Sequence, residues 1–234
     1  MSSKNLESWN VLDDAAGVVW REYRYGKNGS ATTLAFKGKD GVTVVSPPCD
    51  TSEREMDALK ELGPVNALIA NNVFHNLGQM PWRKHFPDAV SYAPAGAIPK
   101  LTKKCPDVAW KPLGDLAQPE HVRCEDPPGT RSGETIVTVK TANGSVWYVG
   151  DLLANFEKLP PAPVKWLFSL TGSGPGFKLF KLAAMVLVKD NKRLRAWMLE
   201  RMNDTAPSVV VPAHGKPVDV SDVADQMKTQ VERL

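Results

Sequence analysis

Three side chains able to ligate a metal or move a proton stand where β-rich runs stop. Val65 to Ala70 is almost continuously apolar and gives way at once to Asn71-Asn72-Val73-Phe74-His75-Asn76; Ser145 to Val149 runs into Gly150-Asp151; Ser208 to Val211 runs into Pro212-Ala213-His214-Gly215. In layered α/β architectures the loops beyond strand ends are where ligand groups converge. Two imidazoles and one carboxylate, His75, His214 and Asp151, satisfy the three-ligand requirement of a catalytic zinc ion that keeps one water. Asn72, Asn76 and Asp50 are of a type that could orient those ligands or the water. A purely structural account competes: His75 as a hydrogen-bonding loop residue, His214 as a turn residue, Asp151 as a helix N-cap or a hairpin-closing carboxylate.

Other reactive residues read less favourably. Cys49 follows the strand Val42 to Ser46, close to the same edge, but no histidine is placed to activate it and it reads as an unreactive thiol. His85 sits late in a helix and His121 follows Pro119-Glu120 in a loop, both as solvated residues. The run Thr171-Gly172-Ser173-Gly174-Pro175-Gly176 lacks the Gly-Lys-Ser/Thr ending of a phosphate loop and reads as a hinge between helices.

The elements that must carry these residues are legible. Thr32 to Phe36 and Val42 to Ser46, separated by Asp40-Gly41, form an antiparallel hairpin. Ser52 with Glu55 is a capping box that starts a helix bearing Met56, Leu59 and Leu62 on one face, and Gly63-Pro64 stops it. Thr135 to Thr141 and Ser145 to Val149 flank Asn143-Gly144, a second hairpin. Near the C-terminus, Ser221 is expected as N-cap of a helix whose Val223, Met227, Val231 and Leu234 form a core stripe.

Order and spacing of these pieces resemble the metallo-β-lactamase superfamily from Thr32 to Val218. Val42 to Gly78 is similar to its opening strand, loop, helix, strand and HxHxDH metal loop. Tyr148 to Leu153 is similar to its strand ending in Gly-Asp, whose Asp bridges the metals, and Pro212-Ala213-His214-Gly215 to its late Pro-Gly-His-Gly loop. The resemblance implies an α+β protein with α/β-type layers: a four-layer αββα sandwich, one domain over residues 1–234, with the site at one edge of the two sheets. It also exposes a degenerate site. Asn71 and Val73 fall on the first two histidines of the loop, His75 on its aspartate and Asn76 on its last histidine. Asp126-Pro127-Pro128-Gly129-Thr130 corresponds to the second histidine motif, with Thr130 at the ligand position. The resemblance thus implies one zinc, iron or manganese ion on His75, Asp151 and His214 and no dinuclear site, with Asn71 and Thr130 reduced to supporting roles.

Composition sets the outer limits. The 234 residues are 42% hydrophobic and 24% charged, enough for a packed core, and a net charge of +3 does not single out nucleic acid as main partner. The longest apolar stretch, Leu182 to Val188, is far below the roughly 20 residues of a bilayer helix, Met1 to Trp9 carries no apolar leader region, and a cytoplasmic protein is expected. Three cysteines without CxxC spacing give neither a disulfide framework nor a zinc knuckle. The basic character is local: Pro163 to Asn203 carries five Lys and three Arg against one Asp and one Glu, interleaved with large apolar residues. That stretch lies in a helical insertion, residues 157–205, read as a cap packed over the site in preference to an anionic membrane surface, with an oligomer interface as a further option.

Two functions follow. One is a single-metal hydrolase using His75, Asp151 and His214, with Asp151 as ligand and base, acting on a small-molecule ester, thioester or phosphoester. The other is a catalytically silent sandwich that lost most metal ligands and serves as a binding or interaction module.

Overall fold

The computed structural model describes residues 6–158 and 164–234. One sheet contains β1 (Asn10–Asp13), β2 (Val18–Tyr25), β3 (Gly29–Lys37), β4 (Val42–Val45), β5 (Val65–Ile69), β6 (Val90–Ala93) and β7 (Trp110–Pro112), in that spatial order. Neighbours are antiparallel as far as β4 and parallel from β4 to β7. Parallel neighbours require crossovers, and helices α1 (Glu53–Asp57), α2 (Gln79–His85) and α3 (Ile98–Lys104) provide them. The Ser52–Glu55 capping box starts α1 as expected, but the helix tightens after one turn into a 3-10 segment, Ala58–Glu61.

The second sheet has the order β13 (Val209–Val211), β10 (Gly144–Tyr148), β9 (Ile136–Thr141), β8 (Val122–Glu125), with β13 parallel to β10. Pairing of Thr141 with Gly144 puts Ala142-Asn143, one residue earlier than expected, at the hairpin tip. A small third sheet has the order β12 (Gly176–Leu179), β11 (Leu153–Phe156), β14 (His214–Gly215). Helices α4 (Val164–Thr171), α5 (Lys181–Leu187), α6 (Asn191–Asp204) and α7 (Val223–Val231) complete the described chain.

Side-chain alternation divides the strands between two faces. Leu34 and Phe36 of β3 point into a core shared with Val137, Val139 and Tyr148 of the opposing sheet. Ala35 and Val44 point outward onto Met56, Leu59 and Trp82 of the α1–α2 layer. On the other side Trp147 and Val149 meet Leu194 and Met198 of α6 and Met227 of α7. The result is helix, sheet, sheet, helix: the four-layer α+β sandwich.

Three local expectations change. β1 and β2 were concealed by the charged residues of Val18–Tyr25; Arg21 among them is buried against Asp50 and Glu55 at 3.3 Å each, so its charge does not exclude it from the sheet. The glycine-rich run does not simply join two helices: its last residue opens β12, which pairs antiparallel with β11, so residues 157–205 carry a strand among their helices. The cap of α7 is Asp222 rather than Ser221, and the stripe Val223, Met227, Val231 is core as expected. No helix among the described residues is long and apolar enough to cross a membrane.

Candidate metal centre

His75, Asp151 and His214 meet. One potential ligand atom from each lies within 4.8 Å of the others. His75 Nε2 is 3.0 Å and His214 Nε2 3.2 Å from the same oxygen, Asp151 Oδ1.

Backbone pairing explains the convergence. The parallel β10–β13 pair runs to its end through the Val149 N–H to Val211 carbonyl bond and the Ala213 N–H to Gly150 carbonyl bond, which sets the loop carrying Asp151 beside the one carrying His214. β14 then pairs His214 with Ala154 of β11 and is held from β3, where the Thr32 amide donates to the Ala213 carbonyl and Thr32 Oγ1 to the Gly215 carbonyl, each at 2.7 Å. Both loops depend on glycine. Gly150 (φ +56°) and Gly215 (φ +96°) adopt left-handed backbone, and a Cβ would collide with the Glu134 carboxyl at the first and with the Asn155 carbonyl at the second. His75 is supplied by the loop after β5, next to Ser46 at the end of β4, whose amide bonds the Ile69 carbonyl.

Each histidine is fixed from behind. His214 Nδ1 donates to the Ser30 carbonyl at 2.8 Å, which leaves Nε2 facing Asp151. His75 Nδ1 is 2.7 Å from Ser46 Oγ, which is in turn 2.8 Å from the Tyr23 hydroxyl. Ser46 pays for this contact with a left-handed backbone (φ +55°), rare for a residue with a Cβ. Asn72 is oriented without ambiguity: Oδ1 accepts from the Phe74 amide, so Nδ2 must be the group that donates to Asp151 Oδ2 (2.8 Å) and to both oxygens of Glu134 (3.0 and 3.2 Å).

Electrostatics follow the same geometry. Burial alone would raise the Asp151 carboxyl, yet the two imidazoles hold it well below the usual carboxylate range. Burial works against a charged His214, but the bonded Asp151 carboxylate lifts its pKa above that of free imidazole. Burial, then the charge of Asp151, pushes the Glu134 carboxyl well up. With Oδ1 shared by two imidazoles, Oδ2 taken by Asn72 and a depressed pKa, Asp151 is suited to ligation and poorly suited to the base role expected of it.

Asn71 is fully buried beside Gly150, its side-chain amide without a hydrogen bond among the described residues. Asp50 does not orient the ligands: it is spent on Arg21 and on the Arg24 amide. Asn76 reaches Cys105 Sγ at 3.5 Å, and Thr130 bridges Val188 and contacts the Pro127 carbonyl. His85 pairs with Asp57 at 2.7 Å, away from the centre, and His121 is exposed. Cys49 contacts the Arg24 carbonyl, and burial followed by the nearby Asp50 charge raises its thiol pKa, opposite to what a nucleophile requires. The sequence reading missed Ser46, Tyr23 and Glu134. Glu134, four residues past Thr130, reaches the centre through the Asn72 amide.

Above the three residues lies a cavity of about 470 Å³. Tyr23 and Tyr25 form one wall, Phe74 and Leu77 another, and Phe180 with Leu182, Ala183, Val186 and Leu187 of α5 the roof. Phe156, Phe168 and Phe180 pack on one another at ring separations of 5.2 to 5.5 Å, and Phe156 stacks on His214. Part of the insertion therefore covers the centre, whereas Trp166, Leu170 and Met185 remain exposed.

No protein-family model and no curated protein sequence matches this chain. Solved structures do. The metallo-β-lactamase from Hirschia baltica is similar with a TM-score of 0.61 at 11% identity, over 95% of this chain and 96% of that one. The DIM-1 metallo-β-lactamase exposed to ceftazidime gives 0.58 at 14% identity over 96% of both chains. The chemotaxis sensor ODP, captured as a peroxy diiron species, gives 0.62 at 12% identity over 96% and 94%. These likenesses establish that the chain has the metallo-β-lactamase fold, carrying a His, Asp, His group able to hold a metal ion.

Proposed function

We propose that this protein is a single-metal hydrolase acting on an uncharged ester or thioester with an apolar acyl group. The observation that carries the reading is the convergence of two Nε2 atoms and one carboxylate oxygen on the floor of an apolar cavity. Donor chemistry supports one ion: two imidazoles backed by oxygen partners and a carboxylate held ionised suit zinc, and also iron or manganese. A second ion does not fit, because the space between Asp151 and Glu134 is spanned by the Asn72 amide, whose N–H groups face both carboxyls.

When bound, a divalent ion supplies Lewis acidity, bringing the pKa of its water to about 7 and polarising an acyl carbonyl. The chain supplies the rest. Ser46 and Ser30 hold the two imidazoles with Nε2 inward, and Asn72 holds the Asp151 carboxylate. Burial and then the Asp151 charge raise the Tyr25 pKa, so at neutral pH its hydroxyl stays a donor at the cavity wall, available to a carbonyl or leaving-group oxygen. Phe180 and the α5 side chains exclude water from the acyl group. None of the described residues lining this cavity is Lys or Arg, which favours a neutral acyl compound over a phosphoester.

Protein purified without chelator should contain one transition metal per chain by elemental analysis and hydrolyse nitrophenyl octanoate or an octanoyl thioester, with activity lost on chelation and regained with metal. Metal-free protein that binds no ion with micromolar affinity would leave the silent binding module as the correct reading.

A further inference from the structure

On the other side of α5 is a second cavity, about 550 Å³ in volume and of opposite character. Arg131, Lys181, Lys189 and Arg233 line it, and no Asp or Glu side chain does. Arg131, Lys181 and Lys189 form no ion pair among the described residues, and Arg233 donates only to the neutral Gln230 amide. Asp190, next in sequence to Lys189, caps α6 through the Arg193 amide. The backbone oxygen of Leu234, at the rim, accepts from Arg195 at 3.1 Å. Four cations around one concavity repel each other and focus a positive potential there. An anionic head group relieves that repulsion.

The floor narrows the ligand further. It is aliphatic, made by Leu179, Ala184, Met185 and Val188. Met185 is 71% exposed, an unbranched side chain left in water at the edge of the concavity. No Trp, Tyr or Phe lines the cavity, so a nucleobase finds no stacking platform. An alkyl chain needs none, and the volume falls within the range of about 300–1,000 Å³ typical of small-molecule sites.

We infer that this cavity binds a single-chain anionic amphiphile, its carboxylate or phosphate head among Arg131, Lys181, Lys189 and Arg233 and its alkyl chain along Ala184 and Met185. The site is separate from the metal centre, and its occupancy does not depend on the hydrolase reading. Two of the eight basic residues of Pro163 to Asn203, Lys181 and Lys189, belong to it.

Titration calorimetry on the intact chain tests this with dodecanoate and dodecyl phosphate below their micelle-forming concentrations, inorganic phosphate, dodecyl maltoside, and vesicles containing anionic phospholipid. Saturable one-to-one binding of both dodecyl anions is expected, at least tenfold tighter than inorganic phosphate or the uncharged maltoside, and weakening with salt. Adjacent residues of α5 separate the two cavities: Ala184→Trp should abolish binding, whereas Ala183→Trp, which fills the other cavity, should leave it unchanged. If Ala184→Trp does not fold, Lys181→Gln with Lys189→Gln should weaken binding at least tenfold. Equal affinity for inorganic phosphate, binding only to vesicles, or loss of binding in Ala183→Trp with retention in Ala184→Trp would each overturn the inference.

Discussion

His75 and His214, whose ring centres are 5.6 Å apart, direct their Nε2 atoms at one oxygen of Asp151. Without a metal, a single carboxylate oxygen accepts from both imidazoles, so each carries its Nε2 proton, and His214, whose Nδ1 also donates to the Ser30 carbonyl, is an imidazolium. A metal ligand must give that proton up. A proton and an ion therefore compete for the same lone pairs.

Removing a ligand should remove the ion. His75→Ala, Asp151→Ala and His214→Ala should each lower metal content from one per chain to less than a tenth, with the far-ultraviolet circular dichroism of the folded protein retained. Elemental analysis after gel filtration reads this directly. An undiminished metal content in any variant takes that residue out of the centre.

Ser46 separates positioning from folding. Its hydroxyl supports His75 Nδ1, and its left-handed backbone costs about 1 kcal/mol for a residue with a Cβ. Both Ser46→Ala and Ser46→Gly should weaken metal affinity about 10- to 100-fold. Only Ser46→Gly relieves the backbone, so it should be about 1 kcal/mol more stable than Ser46→Ala in denaturant titration. Equal stabilities would show that the backbone carries no strain there.

Asn72→Ala leaves two buried carboxyls facing each other without the amide between them. A loss of about 2–3 kcal/mol in stability is expected, together with weaker metal binding. Asn72→Asp, which adds a third carboxyl in place of the donor, should be worse than alanine at pH 8. Equilibrium unfolding in urea at constant pH compares the two.

Asp151 titrates lower in the fold than its unfolded value of about 3.9, so its contribution is present above that pH and lost as pH falls through the folded value. His214 titrates higher in the fold than about 6.5, so its contribution is present below that pH and lost as pH rises through the folded value. Glu134, also raised in the fold, adds a loss that begins near its unfolded value of about 4.3 and continues as pH rises towards the folded value. The melting temperature of metal-free protein should therefore fall above about pH 6.5, and His214→Gln should flatten that limb. Apparent metal affinity should rise over the same interval. A metal-free melting temperature that climbs from pH 6.5 to 8 contradicts the ion pair.

The roof of the metal-centre cavity should set acyl preference. Ala183→Trp reduces the space beside Leu182 and Val186, and KM for an octanoyl ester should rise about tenfold, more than for the acetyl ester, since each lost apolar contact costs about 1–3 kcal/mol. Steady-state kinetics across the acyl series decides it.

Much of the framework was readable in the chain. The capping box at Ser52, the buried strand Val65–Ile69, the hairpin around Asn143 and the α7 stripe follow from local periodicity and turn chemistry, which depend on neighbours within a few residues. So did the three strand ends that deliver His75, Asp151 and His214. Local rules failed where charge was neutralised by distant residues, as at Arg21 in β2, and where a short strand needed a partner, as at β12.

What the sequence by itself determined is that two histidines and an aspartate follow strands in a layered sandwich. Only the tertiary structure decided that they touch, because His75 and Asp151 lie 76 residues apart and their distance is set by strand register and loop path. It also decided which neighbours serve them. Ser46, Tyr23 and Glu134 reach the centre, while Asp50, Asn76 and Thr130 find partners elsewhere, since a side chain's hydrogen bonds depend on where the packed sheets place it and not on its chemical type.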